Sequence, residues 1–268
     1  MAEELIVPTV ATPIGVVLAP IIQLLNYVGE ITILLGQSVK ELFRRGVGVR
    51  ELIAQMNVLG VSSVPIAILT NFASGAVLAL YFAPFLAQYG VASFTGGIVA
   101  LAMSRELAPV LTGIVVAARA GSAIAAEIGT MRVTEQIDAL RALAVSPVQY
   151  LVLPRIVAAV LMLPVVCVLA DSAGIFGGYV VATKLGGVPG PLYINSIRDL
   201  LVPADFYLGL VKTVFFGLIL STVGCHQGLN TRGGATEVGR ATTSAVVIAI
   251  VLIYIADFFL ADVMFAGH

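Results

Sequence analysis

LIAQMNVLGVSSVPIAILTNFASGAVLALYFAPFLAQYGVASFTGGIVALAMS, residues 52–104, contains no Asp, Glu, Lys or Arg. One helix crossing a bilayer needs about 20 apolar residues. The stretch therefore holds two crossings and a turn, and Pro84 to Gly90 is the place for the turn. Backbone inside hydrocarbon must satisfy its own hydrogen bonds, so the crossings are helices. The second runs on past Arg105 and Glu106 towards Arg119. Working outward, Arg155–Lys184 reads as a third span interrupted only by Asp171. Asp205–Cys225 is a fourth, carrying Lys212, and Ala241–Phe265 a fifth, carrying Asp257 and Asp262.

Composition agrees with this reading. Of 268 residues, 59% are hydrophobic and 11% charged, with a mean hydropathy of +1.06. A soluble domain carries about 25% charged residues. This chain has too little polar surface to cover itself in water, which makes it an all-α integral membrane protein. The net charge of −1 and the lack of a basic cluster exclude a nucleic-acid binder. Cys167 and Cys225 lack any CxxC or Cys/His neighbourhood and read as small core residues; with only His226 and His268, no metal site is expected.

Residues 1–268 read as one domain: an interfacial segment over 1–50, a bundle over 52–265, and a polar insertion over 131–146. The opening MAEELIVP puts Glu3 and Glu4 where a secretory signal needs basic residues, so it is expected to stay in the mature chain. Residues 5–39 are apolar enough to span but contain Pro8, Pro13, Pro20, Gln23, Asn26 and Glu30, which favours a helix lying partly in the interface. Lys40, Arg44, Arg45 and Arg50 precede the first span, Arg132 and Arg141 follow the second, and Arg232 and Arg240 follow the fourth. Five spans put all of these on one side, which the positive-inside rule makes cytoplasmic; the C-terminus is then extracytoplasmic.

The insertion belongs to Ala117–Pro147, AARAGSAIAAEIGTMRVTEQIDALRALAVSP. Its first half has small residues four apart, Gly121, Ala125 and Gly129, the spacing that lets helix backbones approach in lipid. In its second half Val133, Ile137 and Leu140 share one helical face, with Thr134 expected as the N-cap and Glu135 and Gln136 in the first turn. Such a helix either rests on its own bundle or docks a soluble partner, and composition leaves both open.

Ionisable groups at membrane depth cost about 2.5–3.5 kcal/mol each at a helix centre, so they are buried for a reason. Arg105 and Glu106 are adjacent, followed by Pro109; Lys212, Asp171 and Asp257 lie in other spans. They are either structural ion pairs or the lining of a polar ligand pathway, and Lys212 has the further option of snorkelling to the interface. No G-x-x-x-x-G-K-[ST] loop and no HExxH occur, and Asp171 and Asp257 lack the Gly-x-Gly-Asp context of an aspartyl protease. The chain is not expected to be an enzyme. A stand-alone secondary transporter would show paired broken helices in two related halves, and no such internal symmetry is visible. A purely structural membrane subunit would need neither the charges nor the insertion.

RELAPVLTGIVVAARAGSAIAAEIGTMRVTEQIDAL (Arg105–Leu140), GIFGGYVVA (Gly174–Ala182) and GLNTRGGATEVGRATTSAVV (Gly228–Val247), followed by Asp257, closely resemble the MlaE/YrbE permease family. The likeness covers about residues 40–265. It implies the membrane subunit of an ABC transporter for phospholipids or related lipids in the inner membrane. It also implies a homodimer, a separate cytoplasmic ATPase that binds the ATP and magnesium, and an MCE-domain protein on the far side. No cofactor is implied in this chain. Carried over residue by residue, Glu135, Gln136, Asp138, Leu140 and Arg141 fall in the segment that couples to the ATPase. Arg105 and Glu106 line or support the lipid cavity, with Lys212 and Asp257 on the same pathway.

Overall fold

The computed structural model describes residues 13–265; the reading of MAEELIVP and the terminal His268 lie outside them. Among the described residues there are helices and no strands. Five helical stretches are long and apolar enough to cross a membrane. We number the helices α1 (Pro13–Arg45), α2 (Val49–Gln88), α3 (Ala92–Val133), α4 (Gln136–Ala142), α5 (Val148–Lys184), α6 (Gly190–Leu200), α7 (Pro203–Leu229) and α8 (Ala235–Phe265). The spans are α2, α3, α5, α7 and α8. The turn after the first span falls at Tyr89–Gly90, where Gly90 takes a positive φ of 74°. The fourth and fifth spans run beyond the limits that charge alone suggests, because Pro203 opens one and the other begins at Ala235, ahead of an ion pair between Glu237 and Arg240.

The most enclosed spans are α5 and α7; α2 and α8 are the outermost. Small residues set these neighbours. A Cβ on Gly75 of α2 would lie 1.9 Å from the Gly174 carbonyl oxygen of α5, and one on Gly177 would lie 2.2 Å from that of Phe72. The two backbones are therefore in direct contact. The same device joins α7 to α3, where a Cβ on Gly209 would meet the Ser104 oxygen at 2.1 Å. Larger side chains fill the centre, including Ile124, Ile128, Leu163, Phe216 and Leu220.

At Gly60 the regular hydrogen bonding of α2 breaks into one tight turn, Val61–Ser63. Arg119 serves this break: its Nη1 donates to the Val58 oxygen at 2.9 Å and to Ser63 Oγ at 3.1 Å. Arg119 itself sits in a wide π-turn of α3, Ala117–Gly121. Arg119→Leu is expected to lower stability by about 2 kcal/mol, the worth of charged hydrogen bonds lost together. Thermal unfolding in detergent measures it.

One helix was not anticipated. α6 carries Tyr193, fully buried, whose hydroxyl donates to the Ile175 oxygen at 3.3 Å and whose ring meets Tyr179 edge-on at 5.5 Å. Burial pushes the Tyr193 hydroxyl up, keeping it a neutral donor. The helix packs on the start of α3, and its short apolar stripe was hidden by Pro189 and Gly190.

α1 is one continuous helix lying against the ends of α5 and α7. Glu30 Oε2 is 2.8 Å from His226 Nε2, and Gln227 Nε2 donates to the Tyr27 hydroxyl at 3.3 Å. Burial pushes the Tyr27 hydroxyl up, the Gln227 bond opposes the rise and Glu30 adds to it. Ile22, Leu25, Val28, Ile33 and Phe43 stay exposed along its other faces.

Candidate functional site

Near the α6 end of the bundle, three spans bring their charges together. The geometry starts in α3, which widens into a π-turn over Met103–Leu107. Such turns add a residue to the helical repeat and re-aim side chains, often at functional sites. Pro109 follows and has no N–H for the carbonyl four residues earlier, that of Arg105. Lys212 of α7 fills the gap: its Nζ donates to the Arg105 oxygen at 3.1 Å. The same Nζ donates to Glu106 Oε2 at 2.8 Å and to Asp257 Oδ1 of α8 at 3.0 Å. An ammonium has three donors, and all three are engaged. The Lys212 side chain is 0% exposed, so it does not snorkel; the approach of Gly209 to Ser104 pulls α7 too close for the side chain to leave.

Arg105 turns to a different partner. Its Nη2 lies 2.7 Å and its Nε 2.9 Å from Asp205 Oδ1. Asp205 Oδ2 accepts from the Val202 N–H at 3.3 Å, capping α7. The Phe265 ring completes the group, 4.9 Å from Arg105 Cζ and 5.1 Å from Lys212 Nζ, within cation–π range. The structure thus unites Arg105, Glu106, Lys212 and Asp257 and adds Asp205 and Phe265. Asp205 left a sequence signal, since Pro203 followed by an acid two residues on marks a helix start. Phe265 left none. Asp171 stays apart, accepting from Ser104 Oγ at 2.7 Å, so it forms no dyad with Asp257.

Within this network Glu106 is 42% exposed and Arg105 26%, against 4% for Asp205. Its outer edge is thus an acid and a base, while its buried interior is paired.

At the opposite end of α3 lies the polar insertion. From Arg105 to Val133 the helix runs roughly 40 Å at 1.5 Å per residue. Thr134 is not the N-cap expected: it ends α3, its hydroxyl donating to the Thr130 oxygen at 2.8 Å. The cap position is Glu135, with φ 60° and ψ 11°, the left-handed region that favours glycine. That reversal turns α4 sharply away from α3. Asp138 locks the corner, accepting from Arg132 Nη1 at 2.8 and 2.9 Å and from Arg141 Nη1 at 2.9 Å. Ile137 is fully buried, and Leu140 packs against the same core, seating the helix on its own bundle. Glu135, Gln136, Asp138 and Arg141 face outward.

The small residues of α3 line the seam with α7 and α8. Gly121 and Ala125 are buried, and the tight contacts come from their partners: a Cβ on Gly224 would lie 3.0 Å from the Gly121 oxygen, and one on Gly228 3.1 Å from that of Ala125. Gly129 opposes Thr231 and Val238. Cys167 and Cys225 are both free and buried.

A five-span helical bundle with a paired charge network within its spans and a sharply turned polar helix at one end is the build of a membrane permease. Residues 52–263 match the family described as Permease MlaE. A probable ABC transporter permease protein of Synechocystis is 42% identical over 234 residues, covering 87% of this chain and 89% of the relative. One from Rickettsia felis is 39% identical over 256 residues, covering 91% and 99%. The chloroplast protein TRIGALACTOSYLDIACYLGLYCEROL 1 of Arabidopsis thaliana is 38% identical over 238 residues, covering 89% and 68%. The chain belongs to the MlaE permease family.

Proposed function

We propose that this permease moves phospholipids or related lipids, driven by a separate ATPase that seats on α4. One observation carries the reading: a single helix, α3, holds the ion network near one end and the locked corner at the other. Force applied at α4 is delivered to Arg105 and Glu106 without an intervening loop. A relative named for a galactolipid supports a lipid cargo. The working unit is a homodimer with two ATPase copies, which bind the ATP and magnesium, and an MCE-domain protein on the far side. The arginines flanking the spans support, by the positive-inside rule, a cytoplasmic α4 and an extracytoplasmic C-terminus, and in this reading α1 lies in the interface of the inner (plasma) membrane.

In this cycle closure of the ATPase dimer pushes the exposed edge of α4, formed by Glu135, Gln136, Asp138 and Arg141, with Leu140 and Ile137 transmitting the push to the bundle. α3 slides along the small-residue seam of Gly121, Ala125 and Gly129. The lipid headgroup meets Arg105 and Glu106, backed by Lys212 and Asp257, while the acyl chains stay on apolar walls. No covalent chemistry on the cargo is required.

Glu135 offers a clean test. A non-glycine residue in the left-handed region is strained by about 1 kcal/mol or more. Glu135→Gly removes the carboxylate yet suits the backbone, so stability is expected to change by less than about 1 kcal/mol. Recovery of the co-expressed ATPase with the tagged chain is expected to fall several-fold. Normal recovery and normal lipid transport would remove Glu135 from the docking surface.

A further inference from the structure

We infer that Asp171 is a proton-binding site inside the bundle, a carboxyl that carries its proton while α2, α3 and α5 are packed and releases it when they part. The site is built from the bundle alone and presumes no particular cargo. Of the buried Asp, Arg and Lys side chains, Arg155 pairs with Glu127, Asp205 with Arg105, and Lys212 with Glu106 and Asp257. Asp171 is 2% exposed and makes no ion pair among the described residues. Its one bond is to a neutral group: Oδ2 accepts from Ser104 Oγ at 2.7 Å. Oδ1 is buried and has no hydrogen-bond partner among the described residues. A lone carboxylate at this depth is costly, and a bound proton removes the charge.

The facing helix supplies a matching acceptor. Asn71 of α2 is fully buried; its Nδ2 donates to the Ala67 oxygen at 2.9 Å, and its Oδ1 has no partner among the described residues. α2 and α5 run side by side in the same direction, with Gly60 against Met162, Gly75 against Gly174 and Ala83 against Gly186. Asn71 lies one turn before Gly75 and Asp171 three residues before Gly174, so the two share one level of this seam. Protonation turns an acid oxygen into a donor, which is what two acceptors at one level lack. Few other titratable or charged groups are near. α2 has none from Leu52 to its end, and α5 has Cys167 one turn back. α6 brings only the Tyr193 hydroxyl, to the Ile175 oxygen. Arg105, Glu106 and Lys212, on α3 and α7, are engaged with Asp205, Asp257 and each other. Ser104 belongs to the same π-turn as Arg105 and Glu106, so a change of charge on Asp171 reaches that network through one hydroxyl.

The test uses the full-length chain in mild detergent. Infrared spectra of the native chain are expected to contain a protonated-carboxyl band that shifts in D2O and is lost in Asp171→Asn. The folded chain then binds one proton more than the unfolded chain, so stability falls as pH rises. Asp171→Asn keeps the shape and a donor but cannot titrate. Its thermal midpoint is expected to match the native one at about pH 6 and to exceed it by several degrees at about pH 9. If Asp171→Asn fails to fold, Ser104→Ala, which removes the one bond to Asp171, must shift the native carboxyl band. A band unchanged by either variant, or a gap between the midpoints that does not depend on pH, overturns the proton site. So does a native midpoint that responds to exchange of sodium for choline and not to pH, which would make the ligand a metal cation.

Discussion

Lys212→Met is expected to be the most damaging single substitution in the bundle. It strips the partner from two carboxylates and from the Arg105 carbonyl, which Pro109 cannot serve. Breaking a buried ion pair from one side costs about 3–5 kcal/mol, because a charge is left uncompensated. Most of the penalty falls on Asp257, which is 16% exposed; Glu106, at 42%, turns outward more easily. Folded, monodisperse yield and the thermal midpoint in detergent are both expected to drop. The triple variant Lys212→Met, Glu106→Gln, Asp257→Asn removes the charges together and is expected to recover most of the stability. It should also retain less lipid. A single variant as stable as the native chain would show that α7 does not depend on Lys212.

Gly75→Ala is expected to lower stability by about 1–3 kcal/mol, the usual cost of overpacking. The added carbon would sit 1.9 Å from the Gly174 oxygen, and backbone cannot yield as a flexible side chain does. Separation of α2 from α5 would follow, and Gly75→Val would make it worse. Gly121→Ala supplies the contrast. The nearest atom to its new carbon is the Leu220 oxygen, 3.9 Å away, so stability is expected to stay within about 0.5 kcal/mol. Parallel thermal melts decide between them. Equal losses for Gly75→Ala and Gly121→Ala would mean that the helix seams tolerate or reject methyl groups for reasons other than backbone approach.

That contrast shows where sequence reading stops. Four-residue spacing singled out Gly121, Ala125 and Gly129, and all three lie on a helix seam. Spacing could not tell which member of a contact is tight, because clearance depends on the facing helix. Gly121 has clearance, whereas Gly224 and Gly228, on the other side of that seam, are crowded, as is Gly129 against Thr231. The polar insertion was legible in the same partial way. Its position, its apolar face and its outward acids follow from the pattern at Val133, Ile137 and Leu140. The corner did not, because it rests on a left-handed Glu135 and on Asp138 bridging Arg132 and Arg141.

By itself the sequence determined the membrane class, the five crossings and their charged residues, because hydrophobic length and the scarcity of charge are local properties that lipid reads directly. Tertiary structure alone decided how those charges are partnered. Arg105 and Glu106 are neighbours in the chain yet take different partners, one Asp205 and the other Lys212. A π-turn in α3, a proline that frees one carbonyl, and a glycine contact that draws α7 close bring about that division. Each acts across a helix interface, where chain order gives no distance.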